Sequence, residues 1–190
     1  PLLEWKIPRI IHSLVFLCPF VCFVSAAFGQ YQIENWSTGH GLPHKTVRSV
    51  LQARDGYIWT ATSDDLARFD SVRFTVFNTV NSPVLKSNRL EFLAENPNGS
   101  LWISRKKGLL FHFRDGVFSS LSTAEGLPSD IIFSIYADRT ENRLTILTPR
   151  RIVVWQDEKI VPVENFTESL RWFASLLDNT GAFYFIKKTL

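Results

Sequence analysis

Histidine is the residue type of this chain best suited to proton transfer or metal binding near neutral pH, and two of the four histidines are close in sequence. His40 and His44 flank the segment Gly-Leu-Pro, which does not align the two rings on a helix face. A metal site would also need further His or carboxylate ligands nearby. We therefore interpret the pair as part of a solvated connector, with a ligand pair as the alternative. The other two histidines are His12, in an apolar segment, and His112, in a predicted strand.

The cysteines and carboxylates do not form a catalytic pattern either. Both cysteines, Cys18 and Cys22, lie within an apolar run, so residues 31–190 contain no thiol for a nucleophile, a disulfide or a metal ligand. A glycosidase would need two carboxylates that face each other across a cleft, whereas the acidic residues here fall mainly in predicted turns. The sequence therefore predicts no catalytic residue, no metal site and no cofactor, and it leaves the ligand-binding residues unknown.

Tryptophan rings offer a third kind of chemistry, because an exposed indole can stack on a ligand. Trp59 and Trp102 are 43 positions apart and occupy one place in a repeated pattern, which favours packing between repeats over a sugar-stacking platform. Trp36 lies outside the repeated strands and is a better candidate for ligand contact, although packing is favoured there too.

Residues 1–30 have the pattern of an export segment. Lys6 and Arg9 precede the apolar run 10–24, and small residues follow at 25–27 and 29. This order is typical of a cleaved signal peptide, and a retained membrane anchor is the alternative because the run is almost long enough to span a bilayer. In either case we expect the chain after Gln30 to be exported to the periplasmic or extracytoplasmic side of the membrane. The sequence contains no Met, which predicts that translation starts upstream.

The composition indicates a globular domain, with 45% hydrophobic and 21% charged residues in 190. The net charge of +3 is spread along the chain, and only residues 105–107 and 187–188 form short basic runs. A nucleic-acid-binding surface would gather basic residues on one face, so we predict no nucleic-acid partner for this segment.

A pattern of about 43 residues repeats along the chain after residue 36. Residues 55–59 return at 98–102, and a strand-starting apolar residue recurs at spacings of 43 in Leu66, Leu109 and Ile152. Within each repeat, alternation with period two and turn signals such as Asp-Gly and Asn-Gly predict four short strands. Because such a sheet has two apolar faces, copies must stack, as propeller blades do.

The predicted fold is therefore all-β, a propeller of four-stranded antiparallel blades, present here as about three and a half blades. The export segment is predicted at 1–30 and the partial propeller at 31–190. Blades are predicted at approximately 36–78, 79–121 and 122–163, with an incomplete one at 164–190. Because its strands stop halfway, we expect further blades beyond Leu190.

Two details distinguish the repeats from one another. Gly41-Leu-Pro43 returns as Gly126-Leu-Pro128, 85 positions later, and we interpret it as the connector that leads into a blade. In the third repeat, Thr145 replaces the tryptophan and Asn142 replaces the turn glycine, so this copy is degenerate.

The repeats resemble the two-component regulator propeller repeat. The first repeat departs from that pattern at Asp65 and Ser71, where the family has glycine. Residues 55–59 are also similar to the aspartate box of sialidase propellers, but that box spaces its residues differently and is a structural turn, so it does not favour an enzyme. The residues that match the repeat are Gly41-Leu-Pro43, Asp55-Gly56, Ile58-Trp59, Thr62 and Leu66-Ala-Arg-Phe-Asp70 in the first copy, and Asn98-Gly99, Leu101-Trp-Ile103, Gly108-Leu109 and Asp115-Gly116 in the second.

The resemblance implies the exported sensor region of a membrane signalling protein. It implies further blades, a transmembrane helix and a cytoplasmic histidine kinase, diguanylate cyclase or DNA-binding output outside this chain, and a periplasmic or extracellular ligand that among relatives is often a glycan. We expect ligand or partner binding to bias the output between two states. The alternatives are a secreted carbohydrate-binding or adhesion module, and a lyase or hydrolase whose catalytic blades lie elsewhere.

Overall fold

The computed structural model describes residues 33–86, 89–105, 108–128, 131–138, 140–149, 151–165, 172–177 and 183–187. The chain divides into two compact units, residues 1–35 and 36–190. Only residues 33–35 of the first unit are described, and they form no regular secondary structure. The predicted export segment, with His12 and both cysteines, lies outside the described residues.

The second unit is built from four-stranded antiparallel sheets whose strands are adjacent in sequence order. The first sheet contains β1 (Val47–Gln52), β2 (Ile58–Thr62), β3 (Leu66–Phe69) and β4 (Phe74–Phe77). The second contains β5 (Leu90–Glu95), β6 (Leu101–Arg105), β7 (Leu110–Arg114) and β8 (Val117–Leu121). The third contains β9 (Ser134–Ala137), β10 (Leu144–Leu147), β11 (Arg151–Gln156) and β12 (Lys159–Asn165), and β13 (Trp172–Leu177) pairs with β14 (Phe183–Lys187). The predicted all-β fold of four-stranded antiparallel sheets is confirmed.

Consecutive sheets pack face to face through two hydrophobic clusters. One cluster joins the first and second sheets, and the other joins the second and third. β5 also contacts both β1 and β9, so the first strands of the three sheets are neighbours. The Ser49 hydroxyl on β1 accepts a hydrogen bond from the backbone N–H of Leu93 on β5 at 3.3 Å. Both apolar faces of the second sheet are thus covered, as stacking of the repeats requires.

A threonine shapes the turn between the second and third strands in two of the sheets. The Thr62 hydroxyl donates to the carbonyl of Asp65 at 2.8 Å and accepts from its N–H at 3.0 Å. The Thr148 hydroxyl makes the same two contacts with Arg151, at 2.9 and 3.2 Å. The third repeat has therefore kept this turn residue although its tryptophan is replaced by Thr145.

Replacing Thr148 by valine is expected to lower the free energy of unfolding by about 1–2 kcal/mol, because the part-buried N–H of Arg151 loses its side-chain acceptor at nearly constant side-chain shape. Urea denaturation measures the change. Thr145→Val is the matched control, since the same chemical replacement then falls within strand β10 instead of at a turn. Equal losses for the two variants would contradict the role of the Thr148 hydroxyl.

The corresponding turn of the second sheet is longer by one residue. Backbone hydrogen bonds close this turn from Thr62 to Asp65 and from Thr148 to Arg151, but from Arg105 to Leu109 in the second sheet. As a result Leu110 pairs with Ser104. The equivalent pairs in the other two sheets are Leu66 with Ala61 and Ile152 with Leu147. The predicted equivalence of Leu109 with Leu66 and Ile152 is therefore wrong by one residue.

The two Gly-Leu-Pro connectors have the same local structure. Each begins with a 3-10 helix, Thr38–His40 or Thr123–Glu125, which ends at a glycine with φ of +96° (Gly41) or +100° (Gly126). These angles are readily adopted only by glycine. The leucine that follows each glycine, Leu42 or Leu127, is buried. Leu85 is buried in the same way between the first and second sheets, although no Gly-Leu-Pro segment marks it.

The third sheet departs from the sequence pattern at its first strand. The apolar residues at 131–136 predict a strand over that stretch, but β9 begins at Ser134, which pairs with Leu147, the last residue of β10. At the opposite edge, β12 contains Pro162, and its pairing with β11 shifts register next to Val153. Val161 and Val163, on either side of the proline, are exposed.

Candidate functional site

His40 caps the 3-10 helix of the first connector. Its Nδ1 accepts a hydrogen bond from the backbone N–H of Ser37 at 3.1 Å and lies 3.1 Å from the Ser37 hydroxyl. In the second connector, Glu125 makes the same contacts with the N–H and hydroxyl of Ser122, at 2.7 and 2.6 Å. An imidazole and a carboxylate thus serve one capping role at equivalent positions. The interpretation of His40 as a connector residue is confirmed.

His44 and Trp36 also make local contacts. The Nδ1 of His44 accepts from the backbone N–H of Thr46 at 2.9 Å. The Trp36 ring lies edge-on to Phe69 and Phe74 of the first sheet, with centroid distances of 4.5 and 6.1 Å. Trp36 therefore packs on this sheet, as favoured from its sequence.

The tryptophans of the first two repeats lie between sheets and contact a basic side chain. Trp59 is paired across β2 and β3 with Arg68, and Trp102 is paired across β6 and β7 with His112. Cross-strand partners project from the same face of a sheet. Each tryptophan ring therefore contacts its basic partner on the face against which the next sheet packs. The interpretation of both tryptophans as core between blades is confirmed.

The first joint, formed by Trp59 and Arg68 with their neighbours, holds a permanent cation among aromatic rings. The guanidinium carbon of Arg68 lies 4.3 Å from the ring centroid of Tyr57 and 5.7 Å from that of Trp59. Trp59 also contacts Phe113 of the second sheet at 5.3 Å. The Nε atom of Arg68 is buried without a hydrogen-bond partner among the described atoms, and the aromatic rings supply cation–π contacts to the guanidinium. The arginine of the repeat motif is thus part of the packing.

The second joint, formed by Trp102, His112 and Trp155, replaces the arginine by a histidine. Trp102 is 0% exposed, and its ring stacks on that of His112 with a centroid distance of 4.2 Å and an interplanar angle of 26°. Trp155 of the third sheet lies 4.6 Å from Trp102 and 5.7 Å from His112. The Nε1 atom of Trp102 and the Nε2 atom of His112 are buried and have no partner among the described atoms.

The electrostatic surroundings of His112 favour the neutral ring. Burial lowers the pKa of His112, the positive charge of Arg114 lowers it further, and Glu158 opposes the shift. The sequence placed His112 in a strand but did not reveal its neighbour. Because the turn before β7 is longer by one residue, a spacing of 43 does not align His112 with Arg68. The signal that could have indicated the pairing with Trp102 is that the third strand carries a basic residue in both repeats.

Polar side chains connect the turns between the first and second strands of successive sheets. The carboxylate of Glu95 accepts from the backbone N–H of Arg54, with both oxygens at 3.1 Å, and the Arg54 guanidinium donates to the carbonyl of Pro97 at 2.9 Å. The side-chain amide of Asn96 donates to Asn142 of the third sheet at 3.0 Å. We call this set the turn row, and it links all three sheets at one end of their strands.

Asp138 organises the turn of the third sheet. Its carboxylate accepts from the backbone N–H groups of Thr140 and Glu141, at 2.8 and 3.0 Å, and from the Arg143 guanidinium at 2.8 Å. The pKa of Asp138 is held far below its usual range, and the backbone hydrogen bond from Thr140 makes the largest contribution. The replacement of glycine by Asn142 was noted from the sequence, but the central role of Asp138 was missed.

The side chains described above contact one another and do not form a catalytic arrangement. Among the residues that the structure describes, no group of three or more His, Cys, Asp or Glu is placed to hold a metal ion. Of the basic residues at 105–107, only Arg105 is described, at the end of β6. No helix in the described part of the chain has the length and apolar character needed to cross a membrane.

Comparison with protein families gives a match over part of the first repeat. Residues 41–64 match the family model described as two component regulator propeller. They comprise the Gly41-Leu-Pro43 segment of the first connector, together with β1 and β2. The resemblance to the two-component regulator propeller repeat is thereby confirmed. No curated protein matches the sequence significantly.

Solved structures share the fold at low sequence identity. One is named as the extracellular domain of a hybrid two component system from B. thetaiotaomicron, with 19% identity and a TM-score of 0.64 over 83% of this chain and 23% of that one. Virginiamycin B lyase from Staphylococcus aureus has 16% identity and a TM-score of 0.60 over 77% and 51% of the two chains. A gluconolactonase from Xanthomonas campestris has 15% identity and a TM-score of 0.56 over 86% and 61%. The chain thus spans less than two thirds of the length of each of these proteins. The shared fold confirms the predicted β-propeller.

Proposed function

We propose, from the two component regulator propeller repeat in residues 41–64, that this chain is part of the extracytoplasmic sensor propeller of a membrane signalling protein. The family match is the observation that carries the proposal. The fold shared with the extracellular domain from B. thetaiotaomicron supports it. The chain's own contribution is recognition and transmission, and the kinase, cyclase or DNA-binding output is proposed to lie in another part of the protein.

Transmission between blades has a physical basis in the contacts of the described sheets. Each sheet touches the next through an aromatic joint on its face and through the turn row at its end. A ligand or partner that bound two neighbouring sheets would favour one relative placement of them, and the free energy of the output equilibrium would shift by at most the difference in binding free energy between the two placements. We propose an extracellular or periplasmic ligand, with glycans as the first class to test, and no nucleic-acid partner for this segment.

The exported location is tested with reporter domains joined in frame after Leu190 of the gene product. Alkaline phosphatase needs disulfides that form in the periplasm, so we expect an active fusion. Deleting residues 1–30 should abolish that activity while leaving the amount of protein similar. A β-galactosidase fusion at the same position should show the reverse pattern. Inactive phosphatase with active galactosidase would refute the exported location.

The sensor role is tested by adding soluble glycans to the full-length protein and following thermal unfolding and signalling output together. A glycan at one hundred times its Kd should add about 2.7 kcal/mol to the stability of the propeller. A sensor should show the stabilisation and a change in output at the same concentrations. Stabilisation without any output would indicate a secreted binding module, and cleavage of the glycan would indicate an enzyme.

A further inference from the structure

The two joints occupy equivalent places but differ in the group that stacks on the tryptophan. In the first joint the group is Arg68, whose guanidinium stays charged at any physiological pH. In the second joint it is His112, whose ring changes charge near neutral pH. One contact between sheets is therefore independent of pH in this range, while its counterpart contains a titratable group.

Several elements surround the His112 ring. On β7 itself Arg114 is two residues away, and on β6 the apolar face of Trp102 covers one side. On β8 the cross-strand partner is the uncharged Ser119. From the third sheet come the Trp155 ring and the carboxylate of Glu158, which follows β11 in the turn to β12. Arg114 and Glu158 are thus the charged groups that act on the ring, with opposite effects.

We propose that the second joint is a pH-responsive contact, which holds the second and third sheets together while His112 is neutral and loosens when His112 gains a proton. The inference concerns the packing of this chain and is independent of its ligand and of its place in the cell.

The cost of protonation follows from the geometry. An imidazolium donates from both ring nitrogens, but Nε2 of His112 is buried and has no acceptor among the described atoms. A buried charge with an unmet donor is unfavourable, and the attraction between the cation and the Trp102 face offsets only part of this cost. Burial accordingly lowers the pKa of His112 in the folded protein.

The direction of the pH effect can be derived from that shift. A histidine in the unfolded chain has a pKa of about 6.5, so the unfolded state takes up the proton first as the solution is acidified. The stabilisation from neutral His112 is therefore fully present above about pH 6.5 and is lost as the pH falls through the lower pKa of the folded state. At a pH below both pKa values, each unit by which the folded-state pKa is lowered corresponds to a tenfold change in the equilibrium between closed and open joint.

Hydrogen exchange of the full-length protein, compared between about pH 7.5 and 5.5 and corrected for the intrinsic exchange rate, tests the proposal. We expect protection of β6 and β10 to fall by up to roughly tenfold, the limit set by the one pH unit between 5.5 and the unfolded pKa of about 6.5, while β1 and β2 of the first sheet keep their protection. An NMR titration of the His112 ring should give a pKa below that of the unfolded chain. A His112 pKa at or above that value would overturn the proposal.

Variants of the two joints provide the controls. His112→Phe keeps a ring on Trp102 but cannot titrate, so the pH effect on exchange should disappear. His112→Gln is the second variant, for use if the phenylalanine does not fold. Arg68→His places a titratable ring in the first joint and should make β2 sensitive to pH as well. An unchanged pH effect in the His112 variants would show that another group is responsible.

Discussion

Replacement of Trp102 by alanine is expected to lower the free energy of unfolding by about 3–5 kcal/mol, the range for removal of a large aromatic ring from a core. Trp102 is fully buried and contacts both His112 and Trp155. Removing the indole leaves a cavity between two sheets that are held by regular strands and cannot collapse freely. Since domains are commonly stable by only about 5–15 kcal/mol, this is a large part of the total. Urea denaturation of the purified chain measures it.

Trp36→Ala is the matched control for this experiment. Trp36 is only partly buried, and it packs on one sheet next to the first connector. We expect Trp36→Ala to lower the free energy of unfolding by roughly 1–2 kcal/mol, because less buried apolar area is lost and water can fill the space. If both tryptophans gave the same loss, the second joint would not be the tightly packed contact described above.

Replacement of Leu110 by alanine is expected to lower the free energy of unfolding by about 3 kcal/mol. The same replacement at its neighbour Leu109 is expected to lower it by about 1 kcal/mol. Leu110 is completely buried between the second and third sheets, whereas Leu109 is partly buried and packs toward the first sheet. The two substitutions remove identical atoms, so the difference reports the environment alone. Urea denaturation of both variants under one set of conditions gives the comparison.

This pair of variants also distinguishes two registers of the repeat. A strict spacing of 43 makes Leu109 the counterpart of Leu66 and Ile152, and Leu109→Ala would then be the more damaging change. The strand pairing makes Leu110 the counterpart. A larger loss for Leu109→Ala would therefore contradict the longer turn between β6 and β7.

The fold was predictable from the sequence because its signals are repeated and local. Alternating apolar residues, turn pairs such as Asp55-Gly56 and the two Gly-Leu-Pro segments each indicate a strand, a hairpin or a connector without reference to distant residues. Recurrence at a regular interval then requires stacking, since no single sheet can cover its own faces. The errors lie at Leu109, where a turn is longer by one residue, and at the start of β9.

The second joint was not predictable in the same way. The stack of His112 on Trp102 depends on register, and one additional residue in a turn moves a side chain to the other face of its strand. Leu85 was missed for a related reason, because its connector reaches the same buried place without the Gly-Leu-Pro segment. The role of Asp138 arises from bonds within one turn, which no spacing between repeats reveals.

The proline in β12 limits self-association through the edge of the third sheet. Val161 and Val163 give this edge strand an exposed apolar surface of the kind that recruits strands from other molecules. Pro162 lies between them and has no N–H group. In an edge strand, proline is placed so that its nitrogen faces away from the neighbouring strand. An incoming strand would leave one of its carbonyl groups without a donor, at a cost of about 1–3 kcal/mol. Pro162, which lies beside the register shift of β12, thereby disfavours aggregation at this edge.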